Sequence, residues 1–184
     1  MISNTVDTSK HLSLNSLTGY GRLDVLCRCI NAAFFLSNDF RKDVIFIIYF
    51  QINNKILEIW GEEVRGINPD ERAIAGVLKH VFNGHSYPGI KFYSSSLEQC
   101  LKKQKFVVID RMGEQSLNLL NEFDSFLLGD QLGFQEEIYQ YFSKFPKFSL
   151  GSTEYLTSQT ITILNYLLDD IKPNFIINDK MPLE

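Results

Sequence analysis

The apolar positions of the chain follow two periods. Over residues 22–36 they recur at helical spacing, at Leu23, Leu26, Cys27, Ile30, Ala33 and Phe34, with Asp24, Arg28 and Asn31 as the polar stripe. Val44 to Gln51 is a short apolar run rich in Ile and Phe, which predicts a buried strand. Ile56 to Trp60 predicts a second one after an Asn53-Asn54 turn. Helical spacing returns at Ile74, Val77, Leu78 and Val81. The start of that helix is signalled by Asn68 as N-cap, Pro69 at the first helical position and Glu71 completing a box with Asn68. Gly84 suits a left-handed helix end. Beyond it, predicted strands at Ile90–Tyr93, Phe106–Ile109, Phe126–Leu128 and Lys147–Leu150 alternate with helices near Ser96–Lys103, Gln135–Ser143 and Ser158–Asp169. Such alternation predicts an α/β domain on a largely parallel sheet. The tail from Pro173 is polar, although Phe175, Ile176 and Ile177 could dock.

Composition narrows this picture without changing it. The 184 residues are 45% hydrophobic and 22% charged, which excludes a disordered or fibrous chain. No repeat or linker divides them, so one domain over residues 1–184 is expected, with its core at about 12–169. Fifteen Phe residues suit large contact surfaces, in a core or at a dimer interface. The net charge of −4 argues against nucleic-acid binding through overall charge, but Arg22, Arg28, Arg41 and Lys42 cluster in sequence and permit a local basic patch. Cys27, Cys29 and Cys100 form no disulfide framework or zinc spacing, so reduced thiols and no structural metal are expected. The first residues lack the order of a signal peptide, and the longest apolar run, Val44 to Phe50, falls far short of a membrane span. A cytoplasmic protein without membrane partners is the expectation.

Candidate chemistry lies in two late loops. In open α/β sheets ligands bind beyond the carboxyl ends of the strands. There, Gly129-Asp130-Gln131-Leu132-Gly133 and Gly151-Ser152-Thr153 each begin with a glycine directly after a predicted strand. Glycine lets a ligand approach backbone N–H and C=O groups. Neither loop is a dinucleotide or Walker motif. Taken singly, each glycine is better read as a simple chain turn.

Several strings read together carry more. Ser13-Leu14-Asn15 followed by Gly21-Arg22-Leu23-Asp24-Val25-Leu26-Cys27-Arg28-Cys29-Ile30-Asn31-Ala32-Ala33 resembles a stretch of the archaeal-type tRNA pseudouridine-54 N1-methyltransferases, of the SPOUT class. Asn68-Pro69-Asp70-Glu71-Arg72, Leu128 to Phe134, Ser149-Leu150-Gly151 and Ile161-Thr162-Ile163 follow in the family's order. The resemblance implies an α/β knot, with a mostly parallel sheet, a C-terminal trefoil knot and a homodimer with sites at its interface. It implies methyl transfer from S-adenosyl-L-methionine to N1 of pseudouridine in the T-loop of tRNA. It places the cofactor at Ile109, Gly129, Ser149, Leu150, Gly151, Ser152, Thr153, Leu156 and Thr160. No metal is needed, because the sulfonium methyl is already activated. Positioning is then the main task, with a carboxylate to take the N1 proton and an arginine to hold base or phosphate. Asp70 and Asp24 are the candidates for the first role, Arg22 and Arg28 for the second. Each has a structural alternative: Asp24 and Arg28 stand i, i+4 on one helix, and Asp70 lies in a helix's first turn.

The sequence departs from the family pattern at three places. Asn4-Thr5 stand at the positions of a His-Lys turn, with no apolar run before them, so the expectation is that either the first strand is missing or the gene start is misplaced. Ser149-Leu150-Gly151-Ser152-Thr153 lacks the family's Gly-Pro-Lys, and Thr160 stands for a cysteine, with Asn165-Tyr166 for His-Asn. The alternative function is therefore a diverged SPOUT domain that dimerises or binds RNA without catalysis. A third is methylation of another RNA base.

Overall fold

A computed structural model describes residues 1–102 and 105–171. The end of the predicted Ser96–Lys103 helix and the tail carrying Phe175, Ile176 and Ile177 lie outside the described residues. In chain order the elements are β1 (Ile2–Ser3), α1 (Leu23–Phe34), β2 (Ile45–Phe50), β3 (Lys55–Trp60), α2 (Glu71–Phe82), β4 (Ile90–Ser94) and α3 (Leu97–Leu101). They continue with β5 (Phe106–Glu114), α4 (Leu117–Glu122), β6 (Ser125–Leu127), α5 (Glu136–Tyr141), a 3₁₀ turn at Phe142–Lys144, β7 (Lys147–Phe148) and α6 (Thr157–Ile171).

Two sheets form, ordered β1-β2-β3-β4 and β6-β5-β7. Among the described residues three of the five strand pairs are parallel: β1 with β2, and β5 with both β6 and β7. The β2–β3–β4 stretch is antiparallel instead. Its β2–β3 connection is a tight hairpin in which Asn54 takes φ 50°, the conformation Asn tolerates best after Gly. The fold is thus the expected α/β class, with a mixed sheet.

The first strand is present, contrary to expectation, but only two residues long. Ile2 and Ser3 pair with Tyr49 and Phe50. On the other side Ile2 N–H donates to Leu128 O at 2.8 Å, so β1 seams the two sheets together. Ile2 is fully buried, which explains how so short a strand is held.

Helices cover both faces. Leu23, Leu26, Cys27, Ile30 and Phe34 on α1 share one cluster with Ile74 and Leu78 on α2 and Ile161 and Leu164 on α6. The opposite face packs Ile2, Tyr49, Leu101, Phe106 and Phe142. Cys27 and Cys29 are buried in the first cluster, and desolvation pushes both thiols up to about 12. They are packing residues with no accessible thiolate.

The α2 start differs from its prediction. Asp70, not Asn68, is the N-cap, and its Oδ1 accepts from Ala73 N–H at 2.8 Å. Pro69 lies before the helix, where its carbonyl accepts from Asn31 Nδ2 at 2.7 Å. Gly84 does close the helix end, at φ 87°.

The β5–β7 pairing is irregular. Phe148 is in register with both Ile109 and Glu114. Val108 N–H donates to Pro146 O, while Ser149 N–H donates to Glu114 O at 2.9 Å. Successive residues of a strand turn their amides to opposite sides. The segment after Ile109 therefore crosses β7, and a Cβ at Gly113 would stand 2.6 Å from the Lys147 carbonyl carbon.

Candidate functional site

The loops beyond β6 and β7 meet at the start of α6. Thr157 Oγ1 donates to Gly129 O at 3.0 Å. Thr160 N–H donates to Leu156 O at 2.9 Å, and Gln159 Oε1 accepts from Leu156 N–H at 3.0 Å. Ile109 stands beside Phe148, immediately before Ser149. Ile109, Gly129, Ser149 to Thr153, Leu156 and Thr160 are therefore brought into one region. Thr160 is buried, and its N–H is engaged by Leu156 O.

The loops differ in construction. Asp130 is buried, and its carboxylate accepts from Asn4 N–H at 2.6 Å, Asn4 Nδ2 at 2.7 Å and Leu132 N–H at 3.0 Å. Asn4 Nδ2 also donates to Gly133 O at 2.9 Å. A Cβ on Gly129 would stand 2.5 Å from the Gly133 carbonyl group, so only glycine lets this turn close. In the second loop Gly151 N–H donates to Ser149 Oγ at 3.1 Å, Ser149 N–H is held by Glu114 O, and the exposed Glu154 pairs with Arg111 at 2.7 Å. Gly151 sits at φ 116° with open space where a Cβ would project. Ser152, Thr153, Tyr155 and Leu156 are exposed.

The catalytic candidates form a charged ladder. Arg22, at φ 61°, grips Asp24 with two hydrogen bonds of 3.0 Å. Arg28 bridges Asp24 at 2.8 Å and Glu71 at 3.1 Å. The Arg22 hydrogen bonds, joined by those of Arg28, hold the Asp24 carboxyl below its usual range despite its burial. Asp24 was read as part of a polar stripe but is buried, because two guanidinium groups fold over it. Its oxygens are spent on those arginines. Asp70 remains exposed at the N-terminus of α2, and Arg22 keeps 47% of its side chain exposed. Arg28, Asp70, Glu71, Gln159 and Tyr166 line one groove between α1, α2 and α6.

A hydrogen-bonded path joins the ladder to the first loop. Gln131 Nε2 donates to Thr5 Oγ1 at 3.0 Å, and Thr5 Oγ1 donates to Gly21 O at 2.6 Å, one residue before Arg22. Gly21 lies so close that a Cβ there would be 2.0 Å from Thr5 O. From sequence, Asp130 and Gln131 stood out only as members of the first glycine-led loop, and Asn4 and Thr5 only as a departure from the family pattern. The available signal was Asp130-Gln131-Leu132, the pattern of an aspartate turn in which the side chain accepts from the residue two positions on.

The α/β architecture is shared with a solved structure. The structure resembles Archaeoglobus fulgidus Nep1 bound to S-adenosylhomocysteine, with a TM-score of 0.66 at 16% identity, over 90% of this chain and 80% of that one. At that identity the likeness concerns the fold. Residues 1–180 match the family described as "Putative SAM-dependent RNA methyltransferase", and the chain belongs to that family. It is 32% identical over 179 residues to the tRNA (pseudouridine(54)-N(1))-methyltransferase of Methanocorpusculum labreanum, covering 89% of this chain and 92% of the relative. It is also 32% identical to the enzyme of the same name from Methanocaldococcus jannaschii, over 91% of this chain and 93% of that one. Among the described residues no helix is long and apolar enough to cross a membrane, and no group of three or more His, Cys, Asp or Glu is placed to hold a metal.

Proposed function

We propose that this chain transfers the methyl group of S-adenosylmethionine to N1 of pseudouridine in the T-loop of tRNA. The observation that carries the reading is the junction of the two loops at Thr157 and Gly129, in a chain alike over nearly its whole length to enzymes of that name. The site suits the cofactor. Open space lies beside Gly151 where a Cβ would project, and Ile109, Leu128 and Leu150 supply apolar surface. S-adenosylmethionine brings an activated methyl, so the chain's residues need only bind, orient and move one proton.

In this reading the backbone of Gly129 and of Leu150 to Thr153 holds the cofactor, with Leu156 closing over it. Arg22 holds a phosphate or the base, fixed in direction by its two bonds to Asp24. Asp70, exposed at the N-cap of α2, is the assigned acceptor of the N1 proton. A trefoil knot is part of the proposal. Its support is the dual register of Phe148 with Ile109 and Glu114, since a chain wrapped round β7 meets it from both sides. A homodimer is supported by the exposure of Leu156 and Tyr166 at and before α6.

The test is to incubate the protein with S-adenosylmethionine and tRNA carrying T-loop pseudouridine, then analyse the nucleosides by mass spectrometry. N1-methylpseudouridine is the expected product. A methyl group on another base would overturn the substrate assignment. Cofactor binding without any transfer would favour the non-catalytic RNA-binding alternative.

A further inference from the structure

The segment that crosses β7 carries an arginine on a braced turn. Asp110, directly after Ile109, has only 10% of its side chain exposed. Its Oδ1 accepts from Met112 N–H at 2.8 Å, and its Oδ2 pairs with Lys147 Nζ at 3.3 Å. That ammonium donates in turn to Tyr139 OH at 2.9 Å. On the far side Gly113 packs on the Lys147 backbone, with no room for a Cβ. The chain is thus fixed on both sides of Arg111, whose own side chain stays 60% exposed. A buried ion pair adds little net stability, because desolvation offsets its attraction. What the Asp110–Lys147 pair secures is the place of the Arg111 backbone.

Arg111 stands at the rim of the candidate cofactor region. Ile109 lies two residues before it, and its partner Glu154 lies between Thr153 and Leu156. The arginines of the charged ladder are held by two bonds each, Arg22 by Asp24 alone and Arg28 by Asp24 and Glu71. Arg111 gives one bond, from Nη1 to Glu154 Oε1 at 2.7 Å, and the Glu154 side chain is itself 73% exposed. Among the described residues its other guanidinium donors have no partner. An exposed pair of this kind is weakly held and readily exchanged. A guanidinium takes phosphate oxygens with the same planar donors that it offers a carboxylate.

We propose that Arg111 binds a backbone phosphate of the RNA substrate, and that Glu154 holds its place in the free protein and yields it when the RNA arrives. The proposal rests on the tRNA reading given above and adds a positioning residue to it. Phosphate contacts fix the register of a nucleic acid on a protein. A contact fixed next to Ile109 sets the RNA in register with the cofactor loops. Glu154 then competes with the RNA for Arg111, so removing either member of the pair acts on RNA affinity in opposite directions.

The test measures the Kd of the full chain for tRNA carrying T-loop pseudouridine by filter binding. Arg111→Gln should raise that Kd about tenfold and reduce the slope of log Kd against log salt by about one. Glu154→Gln should lower the Kd about two- to fivefold. Glu98→Gln and Lys102→Gln break a comparably exposed pair on α3 and serve as controls for net charge, with Kd values within about twofold of wild type. Binding of S-adenosylmethionine, by calorimetry, should move alike in Arg111→Gln and Glu154→Gln, since either one breaks the same pair. An unchanged tRNA Kd in Arg111→Gln, a rise in both variants as for a purely structural clasp, or equal shifts in the controls would overturn the proposal. Methyl transfer by the wild-type protein is read separately. The expected Kd changes without transfer would remove the methyltransferase reading alone, and transfer with an unmoved Kd would remove this proposal alone.

Discussion

The two glycine-led loops of the candidate site look alike in sequence and are built in opposite ways. Residues 129–133 are braced: a buried aspartate collects three N–H groups, and the N-terminal segment is threaded against the turn. Residues 149–156 are held more lightly, by the Ser149–Gly151 turn, by Ser149 N–H on Glu114 O and by the exposed Arg111–Glu154 pair, with open space beside Gly151 and Leu156 63% exposed. A braced loop can hold a ligand's position, because it loses little entropy on binding. An open loop can admit the ligand and close over it. In the proposed reading the first loop is the floor of the site and the second its cover.

The contrast can be broken most severely at Gly129. Gly129→Val drives a side chain into the Gly133 backbone, so S-adenosylmethionine binding should disappear in calorimetry and the Tm should fall as well. Gly151→Val meets no neighbour and suffers only its left-handed φ, at a cost of about 1–3 kcal/mol, so binding should weaken with a smaller loss of Tm. Equal losses of Tm would mean that the loops are not differently built.

Next in size is Asp130→Ala. It strands Asn4 and Leu132 donors inside the protein, and about 3 kcal/mol of stability should be lost, measured by urea denaturation. A change below about 0.5 kcal/mol would show that the brace contributes nothing.

Acid should loosen the braced side as well. Hydrogen bonds from Ser9, then Asn53, lower Asp7 from 3.8 to about 2, and Arg22 holds Asp24 down in the same direction. A carboxyl lowered in the fold stabilises it above its unfolded value and loses that contribution as pH falls. Stability should therefore decline between about pH 4 and pH 2, and Asp7→Asn should flatten that decline in thermal melts. The smallest effect belongs to Leu156→Ala. An exposed side chain there should leave the Tm within about 1 °C while weakening cofactor affinity several-fold.

Much of the fold was legible because its periodic segments are long. The α1 and α2 faces and the strands β2 and β3 fall within a residue or two of their predicted ends. What escaped was set by tertiary contact. Ile2–Ser3 has no apolar run to announce it, and is a strand only because two edges receive it. Helix α4 buries one leucine, Leu120, too few to give a period. Asn68 and Asp70 are equally good caps by residue type, and the choice fell on the one whose backbone is extended with its carboxylate over Ala73. The site was half legible. Its glycines and Arg22 stood out, but the brace joins Asn4 to Asp130, residues 126 apart in sequence, and no local pattern records such a pairing.

The most direct measurement of this account is hydrogen–deuterium exchange with and without S-adenosylmethionine. Residues 129–133 should be protected in the free protein and change little, while residues 149–156 should exchange fast when free and become protected on addition of the cofactor. Protection that appears only away from these two loops, or an unchanged 149–156 segment under saturating cofactor, would contradict it.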